Sequence, residues 1–210
     1  MTQVVQSVLA IAVGYFLGSI PSAYIAGRVR KGVDIREVGS GNMGVVNVFR
    51  EIGAVEGVVV WLVDMAKGAG AVLLAQLLAV AQPVVLVTGA AAVVGHVWPV
   101  FLGFRGGKGL AVTMGIFFAL FPWEMLMALG IAAIPILITR NVTFGMIIGL
   151  ASLPLFIWLR YEDCIILVIY AILLCLFLIW RHLPTAREAL ATRGIRGTIF
   201  DHWKRPKQSR

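Results

Sequence analysis

The sequence has few charged residues for its length, and very little cysteine or histidine. Only 13% of its 210 residues are charged, against about 25% in an average soluble domain. The two cysteines, Cys164 and Cys175, lie in one apolar segment and would be roughly 16 Å apart along a helix, which excludes a disulfide. The three histidines are too widely spaced for a metal-binding motif. We therefore expect neither a metal nor a cofactor.

Apolar residues dominate the composition. They make up 60% of the chain, and the mean hydropathy is +0.94. A membrane-spanning helix needs about 20 such residues, and the sequence predicts an all-α integral membrane protein with about seven transmembrane helices and glycine-rich cytoplasmic loops. The fourth segment is short, and a five-helix arrangement, in which the middle of the chain is assigned differently, stays open. The predicted segments are 4–27, 54–80, 83–104, 110–121, 123–139, 142–159 and 164–180.

The positive charges indicate an orientation. If seven segments alternate from an outside N-terminus, every Lys and Arg except Lys67 and Arg160 falls on the inside, as the positive-inside rule expects. The sequence thus predicts a membrane domain over 1–180 and a basic cytoplasmic tail over 181–210. The net charge of +8 is too dispersed to indicate nucleic acid. The inside segments are 28–53, 105–109, the turn around Arg140 and the tail.

The first inside loop alternates glycines with small polar residues and reads GSGNMGVVNVFR from residue 39 to residue 50. Glycine permits left-handed backbone and close approach, so successive N–H groups can converge on an anion. An arginine fork suits phosphate. A flexible connector is the alternative, but it needs no such interleaving of Gly, Ser and Asn. The candidate residues are Gly39, Ser40, Gly41, Asn42, Asn47 and Arg50.

The second inside loop ends in a glycine-rich turn just before an apolar helix. Amides and the helix dipole favour an anion at such a place, and a lysine adds a point charge. The turn lacks the spacing and the Ser/Thr of a Walker A loop, so we do not predict an NTPase. His96 and Trp98, which precede it, fit an interfacial belt equally well. The candidate residues are Gly106, Gly107, Lys108 and Gly109.

Two features inside the apolar segments predict helix contacts, and a third predicts a distortion. Asp64 and Lys67 lie three residues apart on one helical face, and since unpaired charge is costly in lipid we expect them to face the bundle as a structural pair. Gly14 and Gly18 have the GxxxG spacing of a close helix contact. Pro21 indicates a helix distortion near the inside end of the first segment.

Two further inside positions carry polar groups. Arg140 and Thr143 belong to the turn 139–143, and Arg181 with His182 begins the tail. Either arginine alone is best explained as a topology determinant. His182 titrates near neutral pH and is a candidate acid–base group. The order of residues does not provide a convincing Ser-His-Asp triad.

These segments together resemble the bacterial acyl-phosphate:glycerol-3-phosphate acyltransferases, the PlsY family. The likeness covers almost the whole membrane domain, and its two long motifs are specific. The matching segments are Gly-Ser-Ile-Pro-Ser at 18–22, Asp-Ile-Arg at 34–36, the Gly/Ser/Asn loop at 39–50, Asp-Met-Ala-Lys-Gly at 64–68, the Gly-His to Gly-Gly-Lys-Gly stretch at 95–109, and the turn at 139–143.

The resemblance implies a seven-helix protein of the bacterial inner membrane with a cytoplasmic active site. It implies transfer of a fatty acyl group from acyl-phosphate to the 1-hydroxyl of glycerol 3-phosphate, the first step of phospholipid synthesis. The products are lysophosphatidic acid and phosphate. The implied partners are these two substrates, membrane lipids and an upstream enzyme that makes acyl-phosphate, with neither acyl-CoA nor acyl-carrier protein as direct donor.

The resemblance also implies site residues. By position, Ser40, Lys108 and His182 are the catalytic candidates. The candidates for substrate binding are Gly39, Gly41, Asn42, Asn47, Arg50, Gly106, Gly107, Gly109, Arg140, Thr143 and Thr185.

The chain departs from the family pattern at a few positions. Val45 and Val46 stand where the family usually has Ala-Thr, and Thr185 replaces an Asn. Residues 193–197 lack the usual Gly-x-Glu. A divergent acyltransferase with another acceptor is therefore an alternative. A transporter or channel for an organic phosphate is a second one, but it predicts polar groups throughout the bilayer rather than at one end.

Overall fold

Every regular element in the described part of the chain is helical, which confirms the predicted fold class. The computed structural model describes the backbone of residues 2–161 and 164–200, and side chains through residue 184 within those ranges. The chain forms two compact units, Met1–Pro122 and Trp123–Arg210. The predicted boundary at residue 180 between membrane domain and tail stays a prediction.

The first unit contains six α-helices among its described residues, with one short 3₁₀ turn at Val100–Leu102. The described residues of the second unit form three long helices. The helices are α1 (Gln3–Ser19), α2 (Ser22–Lys31), α3 (Val45–Glu51), α4 (Ala54–Leu77), α5 (Gln82–Val97), α6 (Leu110–Leu120), α7 (Pro122–Thr139), α8 (Val142–Arg160) and α9 (Ile165–Phe200).

Six helical stretches of the described chain are long and apolar enough to cross a bilayer. They are Gln3–Lys31, α4, Gln82–Leu102, α7, α8 and Ile165–Pro184. The fourth predicted segment also forms a helix, α6. Its 11 residues reach only roughly 16 Å, about half the thickness of the hydrocarbon core.

The predicted distortion at Pro21 is a full break between α1 and α2. The carbonyl oxygen of Ile20 at this break accepts a hydrogen bond from Lys67 Nζ at 2.7 Å. Lys67 Nζ also lies 2.6 Å from Asp64 Oδ1, and both side chains are almost fully buried. The predicted pairing is therefore confirmed. Ser22 Oγ donates to the same carboxylate oxygen at 2.5 Å, so α2 and α4 meet at a polar cluster.

Small residues bring the helices of the first unit together. A Cβ atom at Gly14 would collide with Thr88, and one at Gly18 would collide with the backbone of Ala92, both on α5. The predicted close contact at these glycines is therefore confirmed. Gly115 of α6 packs equally tightly against the backbone of α4. Such contacts let helices approach without large side chains between them.

In the second unit, an ion pair joins α7 to α8. Glu124 is fully buried, and its Oε1 lies 3.2 Å from Nε of Arg160, which is half exposed. Arg160 is one of the two cations that the charge pattern leaves outside the predicted inside segments. Its positive charge is thus compensated by the carboxylate of Glu124.

Candidate active site

The first inside loop contains a short helix that was not predicted from the sequence. Residues Val45–Glu51 form α3, which is only seven residues long. Val48 and Ile52 are buried in an apolar cluster with Ile35 and Met43. This burial, rather than helix propensity, accounts for α3, because so short a helix is marginal by itself.

Asn47 holds the loop together. Its Oδ1 accepts a hydrogen bond from the Ser40 backbone N–H at 3.0 Å. Its Nδ2 donates to the carbonyl oxygens of Ile35 at 3.2 Å and Val38 at 3.1 Å. The side chain is buried. The sequence-based role of Asn47 in substrate binding stays a prediction, and the geometry gives its amide a different task, that of shaping the loop.

The glycines on either side of Ser40 are required by the backbone. Gly39 and Gly41 have φ angles of +61° and +67°, which favour glycine. A Cβ at Gly39 would also collide with Asn47 and Glu51. The turn therefore presents Ser40 at the surface, where it is exposed.

The second glycine-rich loop is fastened to the end of α5. The N–H of Gly106 donates to the Val97 carbonyl oxygen and that of Gly107 to the His96 carbonyl oxygen, both at 3.1 Å. The sequence predicts that these two amides bind phosphate. In this structure they instead hold the turn against the end of α5. A Cβ at either glycine would collide with α5 or its continuation, so both must be glycine for this packing.

Lys108 lies half-buried just before α6. Gly109 is the N-cap of α6 and has a φ angle of +92°. The lysine is therefore next to the positive end of a helix dipole, where an anion is favoured. The predicted placement of Lys108 at a helix start is confirmed, while its role in binding stays a prediction.

The two loops meet in the first unit. A Cβ at Gly107 would lie 3.0 Å from the Met43 carbonyl oxygen and closer still to the His96 ring. Both loops contribute to a cleft of about 340 Å³, lined by Asp34, Arg36, Glu37, Gly41, Met43, Arg105 and Gly106. The chain thus brings the segment around Ser40 next to the segment around Lys108.

The cleft contains an ion pair between Asp34 and Arg36. The sequence identifies these two residues only as part of the Asp-Ile-Arg motif. Arg36 Nε lies 3.0 Å from Asp34 Oδ1, and Nη2 lies 2.7 Å from Oδ2. These bonds from the guanidinium lower the pKa of Asp34 to about 2, and the carboxylate raises the pKa of Arg36. The Asp-x-Arg spacing is the sequence signal from which this pair could have been inferred.

His96 connects the second loop to the buried cluster on α4. Its Nδ1 lies 3.9 Å from Asp64 Oδ1, and its ring packs against Gly107. The side chain is 9% exposed. Residues of an interfacial belt face the lipid headgroups, whereas His96 is enclosed by loop residues. This position favours a role in supporting the loop.

Two candidates of the second unit, Arg140 and Thr143, lie around the turn between α7 and α8. Arg140 has a φ angle of +52° and occupies the turn between α7 and α8, where it is exposed. Asn141 caps α8 through a hydrogen bond from the Phe144 N–H at 3.1 Å. Thr143 lies half-buried in the first turn of α8.

His182 lies on α9 with a defined ring orientation. Its Nδ1 is 2.8 Å from the Leu178 carbonyl oxygen. A carbonyl can only accept, so Nδ1 carries a proton and Nε2 is the acceptor nitrogen of the neutral ring. Thr185 follows on the same helix, and its side chain lies outside the described residues.

The sequence and the structure both match known proteins. A family model described as glycerol-3-phosphate acyltransferase matches residues 8–192. Glycerol-3-phosphate acyltransferase 1 of Dehalococcoides mccartyi is 41% identical over 96% of this chain and 100% of its own length. The glycerol-3-phosphate acyltransferase of Endomicrobium trichonymphae is 43% identical over 92% of this chain and 96% of its own.

Solved structures agree with these relatives. The chain is similar to the crystal structure of PlsY, an integral membrane glycerol 3-phosphate acyltransferase, in its glycerol 3-phosphate form. The TM-score is 0.82 and the identity 34%, over 89% of this chain and 93% of that one. The lysophosphatidic acid form gives a TM-score of 0.80 at 32% identity, over 92% and 98% of the two chains. The chain therefore belongs to the glycerol-3-phosphate acyltransferase family.

Proposed function

We propose that this protein transfers a fatty acyl group from acyl-phosphate to the 1-hydroxyl of glycerol 3-phosphate. The observation that carries the proposal is the meeting of two glycine-rich loops, one with Ser40 and one with Lys108, in a protein of this family. Each substrate carries a phosphate, and each loop offers groups suited to one. Family membership favours this reaction over the transport of an organic phosphate.

The proposed reaction is a direct displacement. The acceptor hydroxyl oxygen attacks the acyl carbonyl carbon, an ester C–O bond forms, and the bond from that carbon to the phosphate oxygen breaks. Phosphate leaves with the bonding electrons, and the hydroxyl proton passes to a base. Because phosphate is a good leaving group, positioning and charge stabilisation supply most of the acceleration.

The chain's residues divide between the two phosphates. Lys108 and the start of α6 bind the phosphate of the donor and stabilise its charge as it leaves. Ser40, Asn42 and Arg50 hold the acceptor, with Ser40 donating a hydrogen bond rather than forming an acyl-enzyme. Direct attack by the acceptor hydroxyl needs no base to activate Ser40 as a nucleophile.

Four positions of the second unit keep the roles that the family resemblance gives them. Arg140, Thr143 and Thr185 contribute to substrate binding. His182 Nε2 is the candidate proton acceptor within the chain, and an oxygen of a substrate phosphate is the alternative base. The protein acts in the bacterial inner membrane, with its N-terminus outside and both the C-terminus and the active site on the cytoplasmic side.

The test is a transfer assay with the purified protein in detergent. Acyl-phosphate, acyl-CoA and acyl-carrier protein are compared as donors with glycerol 3-phosphate, and lysophosphatidic acid and free phosphate are followed. We expect turnover with acyl-phosphate alone. Turnover with acyl-CoA but not acyl-phosphate would overturn the donor, and a preference for another phosphorylated alcohol would overturn the acceptor.

The role of Ser40 is tested in the same assay. Residual turnover in Ser40→Ala is expected if the acceptor attacks directly, since only a hydrogen bond is lost. Complete loss, together with an acylated Ser40 found by mass spectrometry of the wild type, would establish an acyl-enzyme instead.

A further inference from the structure

The side chain of Arg36 joins the two glycine-rich loops, and the reaction scheme above does not use it. Arg36 Nη1 donates to the Leu102 carbonyl oxygen at 3.3 Å. Leu102 ends the 3₁₀ turn that leads to Lys108. Arg36 lies shortly before Ser40 in the first loop. This hydrogen bond therefore connects the two segments to which we assign the two substrates.

The guanidinium of Arg36 is fixed by other groups as well. Asp34, itself buried, binds it in a two-pronged arrangement through Nε and Nη2. The Arg36 Cζ atom lies 5.5 Å from the centre of the Tyr24 ring, within the range of a cation–π contact. A planar fork held in this way has a defined direction. The remaining nitrogen is thereby aimed at Leu102.

Leu102 also contacts the first loop through its side chain. It packs against the apolar cluster that includes Ile35 and Met43. Apolar packing is non-directional, so it keeps the loops in contact without fixing their register. The hydrogen bond from Arg36 supplies the direction that packing lacks.

We propose that Arg36, oriented by Asp34, is a positioning residue that fixes the Ser40 loop relative to the Lys108 loop. It thereby aligns the acceptor hydroxyl with the acyl carbonyl, an inference that rests on the proposed function. Arg36 acts through the loops and is assigned no contact with either substrate. Without the hydrogen bond from Arg36 to Leu102, each loop can still bind its own substrate. The two bound substrates are then aligned for reaction in a smaller fraction of the complexes.

The consequence is a selective loss of kcat. A misplacement of about 1 Å can cost on the order of 100-fold in rate. Arg36→Lys keeps the charge, but a single ammonium cannot reproduce the fork and the bond to Leu102. We expect kcat to fall at least roughly tenfold, with both KM values changed far less. Asp34→Asn should act in the same direction, and the double variant should be little worse than either single one.

Arg30→Ala provides the matched control. Arg30 belongs to the same basic segment, is exposed, and pairs with Glu56 at 2.8 Å. Its removal takes away one cation and one ion pair without touching either loop. We expect wild-type kcat and KM. Equal kcat in Arg36→Lys and Arg30→Ala, or a rise in KM at constant kcat, would overturn the inference.

A second measurement does not depend on activity. Spin labels are introduced by Glu37→Cys and Phe104→Cys, with Cys164 and Cys175 changed to alanine; both labelled positions are exposed. Arg36→Lys should broaden the distribution of distances between the labels, whereas Arg30→Ala should not. An unchanged distribution in Arg36→Lys overturns the inference whether or not the protein is active. An inactive wild type overturns the proposed function alone.

Discussion

Asn47 accepts a hydrogen bond from the backbone N–H of Ser40 at 3.0 Å, and so determines how that serine is presented. The same amide donates to two carbonyls earlier in the loop. One buried side chain on α3 thus replaces the ladder of hydrogen bonds that a regular element would provide. The loop has a definite shape because of it.

Asn47→Ala should therefore reduce stability and activity together. It leaves the carbonyls of Ile35 and Val38 without their donor, and each unsatisfied buried group costs about 1–3 kcal/mol. We expect a lower melting temperature in detergent and a lower kcat. Asn42→Ala is the control, because a residue that only binds substrate should affect KM and leave the melting temperature unchanged. Normal melting in Asn47→Ala would contradict the structural role.

Lys108→Ala should abolish turnover, because it removes the charge that stabilises the leaving phosphate. Lys31→Ala serves for comparison. Lys31 is exposed and donates to the Glu51 carbonyl oxygen, so its loss should leave turnover unchanged. Phosphate release and melting temperature are measured for both variants. Full activity in folded Lys108→Ala would remove this lysine from the mechanism.

The Asp34 carboxylate should make stability depend on pH in the acid range. Its pKa in the folded protein is about 2, below the ordinary value of 3.8 for an aspartate. A depressed pKa means that its stabilisation is complete above about pH 4 and is lost as the pH falls towards 2. The difference in melting temperature between the wild type and Asp34→Asn should therefore shrink over that interval. A difference that stays constant from pH 5 to pH 2 would contradict the assignment.

Asp64 and Lys67 should be strongly coupled. Lys67→Met leaves a buried carboxylate without its ammonium, which typically costs about 3–5 kcal/mol. Asp64→Leu removes the partner in turn, and the double variant should be more stable than the sum of the single effects predicts. The measurement is the free energy of unfolding for all four proteins of the cycle. Simple additivity would mean that the pair does not interact.

The helices were predictable because a bilayer leaves the backbone few options. Apolar runs of sufficient length must form helices there, since no water satisfies their N–H and C=O groups. The start of α4 at Ala54 coincides with the prediction, and the pairing of Asp64 with Lys67 followed from the cost of charge in lipid. Both inferences need only local sequence.

The interior of the loops was not predictable in the same way. Asn47 and Arg36 were recognised as motif residues, but the backbone groups to which their side chains bond were not. Arg36 finds a backbone carbonyl 66 positions away. Such an acceptor has no sequence signature, because every residue has a carbonyl. The helix α3 was missed because seven residues are too few to display a clear period.

The bonds from Gly106 and Gly107 to the last carbonyls of α5 also bear on the thermodynamics of ligand binding. A loop that becomes ordered only around its ligand loses conformational entropy at that moment, which weakens affinity. Here the turn before Lys108 is fastened to α5 by the protein's own hydrogen bonds. Phosphate binding beside this lysine should therefore carry a small entropic penalty from the backbone, so that modest contacts suffice for affinity and product phosphate can leave without the loop unfolding.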